Sequence, residues 1–371
     1  MTRAGSDARP GSAVVPATGT SRDLWAEDFL GPDFQVRELP LAPDDEGEVV
    51  ASLIRCAARP ARAPGQSTGN HDASRVTVVL YLHGWADYFL QAELARHVAG
   101  EGIHFYALDL RKFGRSLRGW QTPGYATDLA MYDEDLAAAL AAIRDDVAHL
   151  TGPGRAPAVH LLAHSFGGLV AATWADRHPG ALSTLILNAP WLELQGSGLV
   201  RNIAMHLVEP VARSDPRRPF HFPEMPGYWQ SMSSDAHGEW QLNPVWRPAS
   251  SFPIRAGWAK AVLAGHSEIA RGLDITVPVL VLLSDRTRIQ AEWTAELMHV
   301  DAVIDVEETA VRALRLGRRV AVFRYPGAMH DVFLSLRRIR EEAYRDVVRW
   351  VLSCSSETAA SAGTAASTAP P

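Results

Sequence analysis

Cysteine is scarce: Cys56 and Cys354 are the two in 371 residues. That number cannot build a disulfide framework, and neither stands in the Cys/His spacing of a zinc site. No run of about 18 apolar residues occurs, so no membrane-spanning helix is expected. The N-terminal stretch Met1-Thr-Arg-Ala-Gly-Ser-Asp-Ala-Arg-Pro10 is not followed by the apolar core of a signal peptide, and a cytoplasmic address is expected. A positive excess is missing as well. The 36 Lys and Arg stand against 42 Asp and Glu, for a formal net charge of −6. The chain therefore lacks the electrostatic footprint of a nucleic-acid binder. Gly152-Pro-Gly154 lacks the Lys-Ser/Thr and the helix of a phosphate cradle. What remains, 47% hydrophobic and 21% charged residues, is ordinary globular composition, in a chain long enough for one large domain plus a subdomain.

Between the termini, strand-like and helix-like patterns alternate, which predicts a mainly parallel sheet covered on both faces. Early strands are predicted at Phe34 to Leu41 and Val49 to Arg55, and buried strands at Val76 to Leu82 and Ile103 to Asp109. Arg59 to Ser74 is read as a loop from its Pro, Gly, Asn and Asp. Asp133-Glu-Asp135 opens a helix, with acids at the end the macrodipole favours. Residues 1–21 and 355–371, rich in Ala, Ser, Thr and Pro, are predicted to be disordered tails. The alternation breaks down over residues 191–266, which are assigned to a cap inserted in a core of residues 22–190 and 267–354. Five of the eleven tryptophans fall there, at 191, 229, 240, 246 and 258. Such rings can wall an apolar pocket, although burial as glue between cap and core is the commoner use of Trp.

The chemistry is concentrated at a few junctions. Ala158-Val-His-Leu-Leu162 reads as a buried strand and Gly167 to His178 as a helix, with Ala163-His-Ser-Phe-Gly167 between them. A serine on so sharp a bend has its hydroxyl exposed and requires small neighbours. Val76 to Leu82 ends in His83-Gly84-Trp85, where backbone N–H groups can be aimed at a developing alkoxide. The two donors are expected from Trp85 and Phe166. Val320 to Tyr325 runs into Pro326-Gly-Ala-Met-His330, a loop histidine able to take the serine proton.

Together Tyr81-Leu-His-Gly-Trp-Ala-Asp-Tyr-Phe89, Asp109-Leu-Arg-Lys-Phe-Gly-Arg-Ser116 and Ala163-His-Ser-Phe-Gly167 resemble the monoglyceride lipase and lysophospholipase branch of the α/β-hydrolases, often labelled serine aminopeptidase-like. The resemblance spans roughly residues 24–353. It implies an α/β-hydrolase fold and a serine hydrolase acting on carboxylic esters, with no cofactor, no metal and a small-molecule ester as partner. Two departures stand out. Ala163 replaces the first glycine of the serine motif, and Lys112-Phe113 stands where relatives often have Gly-His, on what is expected to be a rim loop.

Ser165 is thus the expected nucleophile and His330 its base. The acid is open between two candidates. Asp285 stands two residues past the apolar run Val277 to Leu283, whereas Asp301 opens an Asp-x-hydrophobic segment. Asp301 lies 29 positions before His330 and Asp285 lies 45. A turn, a helix and a strand need about 25 to 30 residues, which favours Asp301 and makes 285–300 an inserted loop. Asp305 is a third choice. His83, Gly84, His164 and Trp191 are expected nearest the substrate, and Asp109 with Arg111 is expected to brace the oxyanion loop. The same fold also supports peptide, thioester or carbon–carbon bond cleavage, or a non-catalytic binding role.

Overall fold

The computed structural model describes residues 24–57, 75–194, 198–220, 226–290 and 292–366. The tail at 1–21 and the loop at 59–74 lie outside the described residues. The first half of the chain builds β1 (Ala26–Glu27), β2 (Phe34–Asp44), β3 (Gly47–Cys56), β4 (Arg75–Leu82), α1 (Ala92–Gly100), β5 (His104–Asp109) and α2 (Tyr132–Thr151). It continues through β6 (Ala156–His164), α3 (Phe166–Arg177) and β7 (Thr184–Asn188). Next come α4 (Gly198–Ser214), β8 (Pro219–Phe220), α5 (Gly227–Met232), β9 (Ile254–Arg255) and α6 (Ala256–Arg271). The chain closes with β10 (Val279–Ser284), α7 (Val306–Ala313), β11 (Val320–Tyr325) and α8 (Arg337–Ala366).

Nine strands form one sheet in the order β1-β2-β3-β5-β4-β6-β7-β10-β11. From β1 to β5 the pairings are antiparallel, and from β5 to β11 they are parallel. Parallel strands buried on both faces need apolar residues in both phases. In β4, Val78, Leu80 and Leu82 pack with α2, α3 and α6, while Val79 and Tyr81 pack with α1 and α8. Register brings the strand exits level: Leu82 pairs with Leu108 and Ala163, and His164 with Asn188. The loops leaving these ends meet over one edge, where ligands bind in open α/β sheets.

Two boundaries differ from the sequence expectation. The cap border at 266/267 falls inside α6, one continuous helix. Trp258, Ala261, Val262 and Ile269 recur at helical spacing and are buried in the same core as α3. Gly265 lets α6 close on its neighbours, since a Cβ there would lie 2.6 Å from Leu129 Cδ1 and 3.1 Å from Leu169 Cδ1. The helix Ala256–Arg271 thus packs as one piece against that core. At the other end α8 runs on to Ala366, through residues assigned to a disordered tail. Alanine is the strongest helix former, and this stretch is rich in it.

His160 on β6 is fully buried, with Nδ1 2.8 Å from Thr184 Oγ1 and Nε2 3.2 Å from Ser355 Oγ. Burial, helped by the charge of Arg75, pushes its pKa down to about 3. The unfolded chain takes up this proton below about pH 6.5, whereas the folded one waits until about pH 3. Stability is therefore lost as pH falls through that window, by about 1.4 kcal/mol per unit for this group. Thermal melts of wild type and His160→Gln between pH 7 and 5 should show a shallower pH slope in the variant. Equal slopes would refute this linkage.

Candidate active site

Ser165 sits between β6 and α3 with φ 51° and ψ −116°, a conformation that a non-glycine residue holds only when its surroundings impose it. The imposing contacts are identifiable. Ser165 N–H donates to Asn188 O at 3.0 Å, and Ser165 O accepts from Gly168 N and Trp191 N at 2.9 and 3.0 Å. The neighbours must be small: a Cβ on Gly167 would come within 2.2 Å of His83 O, and one on Gly84 within 3.3 Å of Ser165 Cβ. Ala163 is fully buried at the preceding strand end, so the motif departure costs one methyl that the core accepts.

Three side chains from separate loops line up. Ser165 Oγ lies 2.9 Å from His330 Nε2, and His330 Nδ1 lies 2.8 Å from Asp301 Oδ2. Asp301 is fully buried, and its other oxygen accepts the Val303 and Ile304 N–H groups at 2.8 and 2.9 Å. Of the competing acids, Asp285 instead accepts the Gly327 N–H at 3.0 Å and braces the turn that leads to His330. Asp305 caps α7 by accepting from Glu307 and Glu308 N–H. The segment 285–301 forms an acid loop whose two ends pair, Asp301 N–H donating to Arg286 O and Arg288 N–H to Asp301 O.

Among the described residues neither the Trp85 nor the Phe166 N–H has a hydrogen-bond acceptor. Their side chains are locked together. The Trp85 ring lies 3.8 Å from Trp258 and meets Phe166 edge-on at 5.9 Å, and Phe166 lies 5.3 Å from Trp258. Phe113 belongs to this cluster, 5.5 Å from Trp85. It is therefore core, not rim as its departure from the family pattern suggested. Its neighbour Lys112 is likewise buried, at φ 61°, and reaches Asp44 and Glu46 at 2.5 Å each.

His83 and His164, expected near substrate, are turned inward. His83 is fully buried, its Nε2 accepting the Leu110 N–H at 3.1 Å and its Nδ1 2.7 Å from Gly84 O. His164 donates from Nδ1 to Asn188 O at 3.0 Å, and burial holds its pKa down against the pull of Asp331. Strand-end histidines here are structural because each ring finds backbone partners inside the sheet edge. Gly84 backs directly on Ser165, whereas the half-buried Trp191 ring stacks on Trp258 at 6.0 Å. Asp109 accepts the Phe89 N–H at 2.8 Å, and Arg111 binds Asp135 and Glu134 at 2.6 Å each. The acids at the start of α2 are thus ion-pair partners as well as dipole complements.

Asp331 is not among the residues singled out from the sequence. It is fully buried beside His330, accepting Asn188 Nδ2–H at 2.6 Å, Gln91 Nε2–H at 2.8 Å and Phe333 N–H at 2.9 Å. Its one visible signal is an Asp opening the short helical turn Val332–Leu334. Among the described residues no three His, Cys, Asp or Glu side chains are grouped as metal ligands, and no helix is long and apolar enough to cross a membrane.

A family model described as serine aminopeptidase, S33, matches residues 73–336. Lysophospholipase L2 of Escherichia coli (strain K12) is 26% identical over 277 residues, covering 70% of this chain and 76% of its own. A soluble variant of the monoglyceride lipase of Saccharomyces cerevisiae is similar with a TM-score of 0.56 at 15% identity, over 86% of this chain and 96% of that one. The monoacylglycerol lipase of Paleococcus ferrophilus gives a TM-score of 0.52 at 18% identity, over 80% and 96% of the two chains. At these identities the solved structures establish the α/β-hydrolase fold. The extent of the family match settles the rest: this chain belongs to the serine aminopeptidase S33 family.

Proposed function

We propose that the protein hydrolyses carboxylic esters of the monoacylglycerol or lysophospholipid type through an acyl-serine intermediate. The observation that carries this is the relay Ser165 Oγ–His330 Nε2–Asp301 at 2.9 and 2.8 Å on a strained elbow. Ser165 attacks the ester carbonyl as His330 Nε2 takes its proton, and Asp301 orients the ring and stabilises the imidazolium. The Trp85 and Phe166 N–H groups donate hydrogen bonds to the carbonyl oxygen as negative charge grows on it. His330 then gives its proton to the departing alcohol. Water repeats the sequence on the acyl-serine and releases the acid.

The substrate class is supported by the names of the similar lipases and by the aromatic cluster of Phe166, Trp85, Trp258 and Trp191, which starts at the residue after Ser165. Residues 191–255 are proposed to form the cap over this site, with 24–190 and 256–354 as the hydrolase core. The test is hydrolysis of p-nitrophenyl esters from acetate to palmitate, together with a monoacylglycerol and an aminoacyl p-nitroanilide. Turnover should favour the medium to long acyl esters. Preference for the aminoacyl anilide, or no ester turnover by folded protein, would overturn the assignment.

A further inference from the structure

One stretch of chain, Gly227 to Arg247, reaches three of the loops that carry site residues: the histidine, acid and oxyanion loops. On the histidine loop the Tyr228 hydroxyl accepts the Asp331 N–H at 3.1 Å, and the Tyr228 ring stands edge-on to His330 at 5.3 Å. On the acid loop Trp293 donates from Nε1 to Ser231 Oγ at 3.1 Å. On the oxyanion loop, His83 to Gln91, the Tyr88 hydroxyl accepts the Asn243 N–H at 3.0 Å, and Arg247 Nη1 binds Asp87 Oδ1 at 2.6 Å.

The last of these contacts has the sharpest consequence. The two side chains are 7% and 1% exposed, so both charges are out of water. Such a pair adds little net stability, but removing one partner strands the other. Asp87 Oδ2 has no hydrogen-bond partner among the described residues, so the carboxylate leans on the guanidinium for compensation. Asp87 lies two residues past Trp85, and Ala86 between them has φ 46°. A left-handed turn at alanine persists only where its flanks are held. Displacing Asp87 therefore shifts the turn that presents the Trp85 N–H.

We propose that Arg247 is a positioning residue for acyl transfer, clamping Asp87 so that the Trp85 N–H points at the forming oxyanion. The proposal rests on the ester-hydrolase assignment above. Arg247 acts through Asp87 and touches no substrate atom, so its loss falls on the transition state and leaves ester binding alone.

Arg247→Lys keeps the charge and gives up the planar fork. Its kcat should fall about ten- to a hundredfold with KM within about twofold. Affinity for a trifluoromethyl ketone, whose serine adduct carries the oxyanion, should fall by the same factor. Asp87→Asn should match it, and the two changes together should cost no more than either, because both act on the oxyanion turn through the one Arg247–Asp87 ion pair. If Arg247→Lys does not fold, Arg247→Gln combined with Asp87→Asn leaves no unpaired charge and carries the same expectation. Unchanged kcat and ketone affinity in a folded variant, or a rise in KM alone, would overturn the proposal.

Phosphonylation of Ser165 by a fluorophosphonate separates this from the ester assignment, since it needs no particular ester. Wild type that is labelled but hydrolyses no ester defeats that assignment alone. Slower labelling of Arg247→Lys still supports the clamp, and equal labelling refutes it.

Discussion

Ser165→Ala should fold as wild type does and lose ester turnover by roughly three to six orders of magnitude. Folding is expected to survive because the elbow is held by backbone bonds to Ser165 N and O and by the close approach of Gly167 to His83, none of which needs the hydroxyl. Removing an oxygen at a half-buried position also creates no void in either core. What disappears is the atom 2.9 Å from His330 Nε2, and with it the covalent route. The residual rate would come from water polarised by His330 and from the two N–H donors, which this substitution leaves in place. Two readouts check it: turnover of the best ester, and the mass added by a fluorophosphonate, present on wild type and absent from the variant. A folded Ser165→Ala enzyme keeping a tenth of the wild-type rate would refute the nucleophile.

Much of this site can be read along the chain because its parts sit at strand exits, and buried parallel strands announce themselves as short apolar runs. The runs ending at Leu82 and His164 are such strands, the run ending at Tyr325 is the partly exposed edge strand, and His83, Ser165 and His330 follow them directly or within a short turn. The acid is harder, because 16 residues intervene between Ser284 and Asp301, and their path depends on pairing of 286 and 288 with 301 that no local pattern encodes. Ring direction is equally invisible: His83 and His164 flank the catalytic elements in sequence, yet both point into the protein and take backbone partners. The contacts of Arg247 with Asp87 and of Asp331 with Asn188 join residues 160 and 143 positions apart. Such buried polar pairs come from tertiary packing, and neither partner stands out in its own segment.

Asp301→Asn should lower turnover by about ten-thousandfold, as expected for loss of the triad acid, whereas Asp285→Asn should stay within a few-fold of wild type. The difference follows from what each carboxylate holds. Asp301 Oδ1 already serves the Val303 and Ile304 N–H groups, leaving Oδ2 for the Nδ1–H of His330. In asparagine the one carbonyl oxygen must stay with those two donors, so the amide NH2 faces His330. An NH2 group donates, which forces Nδ1 to accept and moves the ring proton to Nε2. There it blocks uptake of the Ser165 proton, and the imidazolium loses its counter-charge as well. Asp285 differs because its bond is to the Gly327 N–H, which an asparagine carbonyl can accept, and its side chain is 31% exposed. Melting temperatures for both variants establish that each is folded, and kcat on one ester gives the ranking. The reverse order, with Asp285→Asn the crippled enzyme, would transfer the orienting role to Asp285 and require the 2.8 Å contact between His330 and Asp301 to break during catalysis.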